Sequence, residues 1–194
     1  MSEILGVDSR VLYTLLIGVV VLERLVELFI SDRNTRRLKS QGALEVGSGH
    51  YPIMVVMHTL FLISSPLEVW LLSRPLIPAL AISMLTVLLA AMALRYWVIV
   101  TLRGRWTTRV ICLPGSPLIA TGPYRYLKHP NYLAVVAETF SLPMVHTAWL
   151  TAIVFTVCNA ALLRVRIRVE DKALWRYGAY FDDGQGESTS EIWT

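Results

Sequence analysis

The chain has 194 residues, 55% of them hydrophobic and only 16% charged, with a mean hydropathy of +0.54. Those values exceed what a soluble domain normally shows and point to a membrane protein. The net charge of +4 does not argue for nucleic-acid binding, because the arginines cluster between apolar runs, as they do in membrane-protein loops. Residues 2–9 are mildly acidic and no small-residue cleavage site follows the first apolar run, so no cleavable signal peptide is expected. Cys112 and Cys158 lie in different kinds of segment without CxxC spacing, which gives no reason to expect a metal site or a disulfide framework.

Residues 11–30 form a first apolar run, long enough to cross a hydrocarbon core of about 30 Å. Its second half carries Glu23, Arg24 and Glu27. The two glutamates share a helix face at i,i+4, and Arg24 can pair with Glu27 three residues on. Charge inside a span is costly and usually faces protein or a water-filled cavity, although an arginine near the end of a span can also snorkel. Glu23 is the deeper carboxylate and the stronger functional candidate. Residues 31–50 read as a polar loop with Arg33, Arg36, Arg37 and Lys39, then Gly42, Gly47 and Gly49. Its glycines would let backbone approach a ligand closely, so the loop either closes over a site or is a plain connector.

Residues 52–72 form a second span, with His58 as a hydrogen-bonded packing residue and Pro66 and Glu68 toward its far end. After a short turn, residues 77–102 form the third, which carries the interfacial cluster Arg95-Tyr96-Trp97. Arg95 is placed to neutralise Glu23 or Glu27 from a neighbouring helix. Residues 107–121 read as two short extended pieces around Pro114-Gly115.

The densest stretch is Gly122-Pro123-Tyr124-Arg125-Tyr126-Leu127-Lys128-His129-Pro130-Asn131-Tyr132. Gly-Pro is turn chemistry. Pro130 biases His129 away from the α region and suits the first turn of a helix. His129 therefore stands beside that helix's unpaired, partly positive N–H groups, a place suited to an anionic cofactor group. The same residues also fit an interfacial belt of tyrosines and cations. Residues 132–145 make a short fourth stretch, interrupted by Glu138 and Pro143, that dips or spans at an angle. Residues 148–163 make the fifth, residues 164–181 a helix leaving the membrane with Arg166 and Glu170 at i,i+4, and residues 182–194 a polar tail for which disorder is expected. The expected fold is an all-α polytopic membrane protein with about five transmembrane helices, a cytoplasmic cofactor-binding loop and a C-terminal helix. Residues 1–181 form one domain, with the cofactor half at about 103–181. The arginine distribution puts the N-terminus outside and the C-terminus in the cytoplasm.

The Gly122 stretch resembles the G-P-Y…R-H-P-x-Y signature loop of the isoprenylcysteine carboxyl methyltransferase family. Arg166-Ile167-Arg168-Val169-Glu170-Asp171-Lys172-Ala173-Leu174 is similar to that family's R-x-x-x-E-E/D-x-x-L segment. The resemblance covers about residues 106–181; the N-terminal half agrees mostly in hydropathy. Lys128 stands where the family usually has arginine, and lysine cannot make a bidentate contact. The resemblance implies S-adenosylmethionine as cofactor, wrapped by the His129-Pro130 loop and the Arg166…Glu170 segment. Arg125 or His129 would take the cofactor's carboxylate, Glu170 its ammonium or ribose, and Tyr124, Tyr126 or Tyr132 would wall its adenine. Arg166 would orient the acceptor's oxyanion or pair with Glu170, which makes Arg166 and Glu170 the catalytic candidates. The implied acceptor is a lipophilic small molecule or lipidated substrate among membrane lipids, methylated on oxygen. It is an isoprenylcysteine-type carboxylate or, as in bacterial relatives with the Glu45-Val46-Gly47-x-Gly49-His50-Tyr51 loop, a polyketide-derived phenol or pyrone. The rival readings are a phosphatidylethanolamine-type N-methyltransferase and a non-enzymatic membrane scaffold or carrier.

Overall fold

The computed structural model describes residues 3, 4 and 6–177. Five helices dominate: α1 (Ser9–Ser40), α2 (Tyr51–Leu71), α3 (Pro78–Leu102), α4 (Pro130–Met144) and α5 (Trp149–Tyr177). Among the described residues, three segments are long and apolar enough to cross a membrane, Ser48–Leu71, Pro78–Arg105 and Trp149–Arg176. The apolar run of α1 is interrupted by Glu23, Arg24 and Glu27, and the 15 residues of α4 reach only about 22 Å. Leu15, Phe29, Leu71, Ile82, Val100 and Val157 are exposed on the bundle's outer faces, where acyl chains would cover them.

Two boundaries differ from the sequence reading. α1 runs on to Ser40, so residues 31–40 are helix rather than loop. No glycine or proline interrupts them, Asp32 and Arg36 pair at i,i+4, and the chain leaves the helix only at Gly42, with φ +88°. Residues 164–177 continue α5 without a break. The expected helical residues 178–181 and the tail 182–194 lie outside the described residues.

Small strands supplement the helices. β1 (Glu3–Ile4) pairs with β2 (Val7–Asp8), and β3 (Leu44–Glu45) with β4 (Ile111–Cys112), both antiparallel. The second extended piece expected near residues 118–120 forms no strand. Instead, β4 takes its partner from the α1–α2 connection, which ties two distant loops together at one end of the bundle.

Tyr13, Ile17 and Val20 of α1 pack with Phe61, Val69, Leu88, Leu142, Val145 and Ala148 as the apolar core. α4 lies against both α3 and α5. At the end remote from the β3–β4 pair, Glu68 of α2 supplies what the start of α5 lacks. Its carboxylate accepts the backbone N–H groups of Leu150 at 3.2 Å and Thr151 at 2.7 Å, and the Arg74 Nε at 2.9 Å. Unpaired first-turn donors and the positive helix end both favour an anion there. Glu68→Ala is expected to lower unfolding free energy by about 2–3 kcal/mol, measured by denaturation in detergent micelles, with Glu68→Gln intermediate.

Candidate functional site

The site grows from the glycine-proline turn. Gly122 has φ +60°, and a Cβ there would stand 2.5 Å from Thr101 Oγ1, so only glycine lets this turn lie on α3. The 3-10 turn Gly122–Arg125 follows, and Pro130 then opens α4 with His129 as its N-terminal cap residue. The His129 ring stacks on Tyr132, with centroids 5.4 Å apart. The Tyr132 hydroxyl donates to Glu170 Oε2 and accepts from Arg166 Nε at 3.2 Å. Arg166 therefore reaches Glu170 through Tyr132 and not directly. The other guanidinium nitrogens of Arg166 meet the Thr108 carbonyl and Met54 Sδ. Four elements are joined by this one side chain.

Tyr124, His129, Tyr132, Arg166 and Glu170 line a common cleft with Arg105, Trp106, Arg109 and Asn131. The cleft has a volume of about 120 Å³ and is open on its outer side. Arg125 is exposed, with its guanidinium 6.0 Å from the Tyr126 ring, and Tyr126 is 71% exposed; neither lines the cleft. Pro130 is buried beneath the loop and shapes the backbone without reaching the cleft. Lys128 Nζ and His129 Nε2 approach the two oxygens of Asp171 at 3.2 and 3.3 Å. Burial, and after it the charge of Glu170, pushes the Tyr124 phenol well above its ordinary pKa, so it stays protonated.

One wall of the cleft is the 103–112 segment, held by α1 and by the loop after it. Thr108 N–H donates to Ser31 Oγ at 2.8 Å, and Asn34 Nδ2 to the Trp106 carbonyl at 2.8 Å. Lys39 and Arg109 converge on Glu45 at 2.5 and 2.6 Å and hold its carboxyl below the usual carboxylate range. The Arg109 guanidinium also covers the Tyr51 ring at 4.1 Å. Gly47, at φ +67°, lies so near α5 that a Cβ would stand 2.6 Å from Val169 Cγ1. The glycine loop is thus packed against the site, not left as a plain connector.

Behind the cleft lies a second, largely apolar chamber of about 460 Å³. Trp106, Asn131, Tyr132 and Arg166 line both spaces. Deeper in the chamber sits a buried ionic cluster. Arg24 donates to Glu27 at 2.6 Å, to Glu138 at 3.2 Å and to Glu23 at 3.3 Å. Arg95 grips both oxygens of Glu138, with Nε at 3.0 Å from Oε1, and stands 3.5 Å from Glu27. Arg95 thus pairs with Glu27, as expected, but not with Glu23, and its main partner is Glu138 on α4. Glu27, at 4% exposure, is also the more deeply buried of the two α1 glutamates. It continues the inward stripe Tyr13, Ile17, Val20, Glu27, Ser31, Thr35, Leu38. Arg24 is not a snorkelling residue but the centre of three ion pairs.

Sequence reasoning missed the bridging role of Tyr132, the junction residues Trp106 and Asn131, and the clamp on Glu138. Glu138 in a short apolar stretch was the visible sign that a cation had to face it.

A helical membrane protein with a polar cleft at one end of its bundle, opening onto an apolar chamber, is the class these features define. The chain belongs to the isoprenylcysteine carboxyl methyltransferase family, whose family model matches residues 83–176. It is 39% identical to the uncharacterized protein YpbQ of Bacillus subtilis over 167 residues, covering 86% of this chain and 98% of that protein. An uncharacterized protein of Haemophilus influenzae is 28% identical over 152 residues, 78% of this chain and 88% of its own. No solved structure matches the chain. Family membership implies an integral-membrane methyltransferase acting on a lipophilic substrate.

Proposed function

We propose that the protein methylates an acidic oxygen of a lipophilic acceptor, with S-adenosylmethionine as methyl donor. The observation that carries this reading is the shared wall of the two spaces, formed by Trp106, Asn131, Tyr132 and Arg166. A polar molecule in the cleft and an apolar one in the chamber would meet only there.

The cleft fits the cofactor's chemistry. Trp106 Nε1, His129 Nε2 and Asn131 Oδ1 are buried without a hydrogen-bond partner, although His129 and Asp171 are within ion-pair distance. Together with Arg105, Arg109 and Glu170 they offer donors for a carboxylate and acceptors for an ammonium. His129 is the residue to hold the carboxylate, Glu170 the ammonium or ribose, and Tyr124 and Tyr132 the walls for adenine. When bound, S-adenosylmethionine supplies an electrophilic methyl group on a sulfonium. Arg166 holds the acceptor oxyanion at the junction, fixed by its bonds to Tyr132 and Thr108. The apolar helices exclude water from the acceptor. All five helices cross or enter the bilayer in this reading, with the N-terminus outside and the cleft on the cytoplasmic face.

An amine acceptor finds some support in the chamber's ionic cluster, where three carboxylates (Glu23, Glu27, Glu138) face two guanidinium groups (Arg24, Arg95). That surplus lies about 9 Å deeper, six residues along α4 from Tyr132, whereas the charged group at the junction is a cation. Purified protein given methyl-labelled S-adenosylmethionine should label a prenylated cysteine carboxylate, an alkylphenol or an alkylpyrone. Label in phosphatidylethanolamine alone would replace the reading with N-methylation, and label in none would leave a scaffold.

A further inference from the structure

The apolar chamber carries an unmet polar group that the reaction does not use. Asn159 of α5 lines the chamber and has no solvent exposure, yet neither its Nδ2 nor its Oδ1 has a partner. Glu27 Oε1, in the same chamber, is also buried and unmet. An unpaired amide in such surroundings is costly, so a group absent from the chain itself has to meet it. Position along the helix gives that group a place. Asn159 precedes Arg166 by seven residues, which puts it on the same face of α5 and about 10 Å deeper. Leu162, Leu163 and Val135 line the chamber as well. The space therefore has two polar levels, one at Tyr132 and Arg166 and one at Asn159 and Glu27.

Resting on the reading of this chamber as the acceptor's site, the geometry points to an acceptor with a hydroxyl group on its apolar body. This hydroxyl lies about 10 Å from the oxygen that is methylated and is held by Asn159. A hydroxyl both donates and accepts, so it can satisfy Oδ1 or Glu27 Oε1 with its proton and Nδ2 with its lone pairs. A carbonyl would leave the acceptors unmet, and an ammonium would leave Nδ2 unmet. A second anion would meet the surplus carboxylate of Glu23, Glu27 and Glu138. Arg24, Arg95 and His58 also line the chamber; both arginines are already engaged by carboxylates, and His58 Nδ1 lies 2.8 Å from the Met54 carbonyl.

The test uses two 4-dodecylphenols, one plain and one with a chain hydroxyl at the spacing of the two levels. Their binding to the full-length protein is measured by calorimetry without cofactor, so that it does not depend on methyl transfer. The hydroxylated probe is expected to bind wild type about tenfold more tightly, and Asn159→Leu to bind both probes equally. Equal affinities in wild type, no binding of either probe, or a preference that survives in Asn159→Leu would overturn the assignment; in the last case another group of the chamber holds the hydroxyl. The wild-type comparison decides even if the variant does not fold. Labelling of both probes is followed separately. A binding preference without methyl transfer would remove the reaction and keep the inner site, and methyl transfer without a preference would remove only the inner site.

Discussion

Arg95→Ala is expected to lower the unfolding free energy by about 3–5 kcal/mol, the range for removing one partner of a buried ion pair. The loss comes less from the contacts themselves than from what remains. Glu138 would keep only the Arg24 contact at 3.2 Å, and Glu27 would lose a guanidinium 3.5 Å away. Three carboxylates would then share one cation inside an apolar bundle. Replacing Glu138 with Gln in the same chain should recover much of the loss, because the remaining partner no longer carries charge. Reversible unfolding in detergent micelles, run as a double-mutant cycle, measures the coupling. Additive losses would mean that the two residues act independently and that the clamp contributes little.

Arg166→Lys is expected to reduce turnover about a hundredfold or more while leaving cofactor affinity within about twofold. Arginine's fork reaches the Tyr132 hydroxyl, the Thr108 carbonyl and Met54 Sδ at once. A lysine ammonium keeps the charge but is a single point, so it cannot hold these contacts and also present a planar face to an acceptor. Comparing kcat with the S-adenosylmethionine dissociation constant separates this role from a cofactor contact. Equal losses in both would move Arg166 into the cofactor site.

The limits of α2 and α3 were legible in the sequence because Pro52, Pro78 and the turn at residues 72–77 punctuate long apolar runs. The last turns of α1 were not, because a cluster of arginines reads as a loop until its inward stripe is followed. That stripe was in fact written in the sequence, in the three-, four- and seven-residue steps that lead from Tyr13 to Leu38 through Glu27. The pairing of Arg95 with Glu138 was not, since it depends on how α3 and α4 pack. The motif loop was legible as a unit, but not which of its cations turns inward. The 3-10 turn Gly122–Arg125 leaves Arg125 exposed and keeps His129 in the cleft, and nothing in the spacing distinguishes the two. Asn159 shows why a buried site can stay hidden. A lone asparagine in an apolar run is easily seen, but that its amide lacks a partner is a property of the packed bundle.

Calorimetric titration of S-adenosylmethionine into the purified, folded protein tests the central claim most directly. Wild type should bind, and His129→Ala and Glu170→Gln should each weaken binding by about ten- to a hundredfold, the loss of one charge-assisted hydrogen bond. Both variants should stay folded, because neither opens a cavity in the apolar core around Phe61 and Leu142. No binding by wild type, or unchanged affinity in both variants, would contradict the assignment and leave the loop from Gly122 to Tyr132 as a membrane-interface anchor.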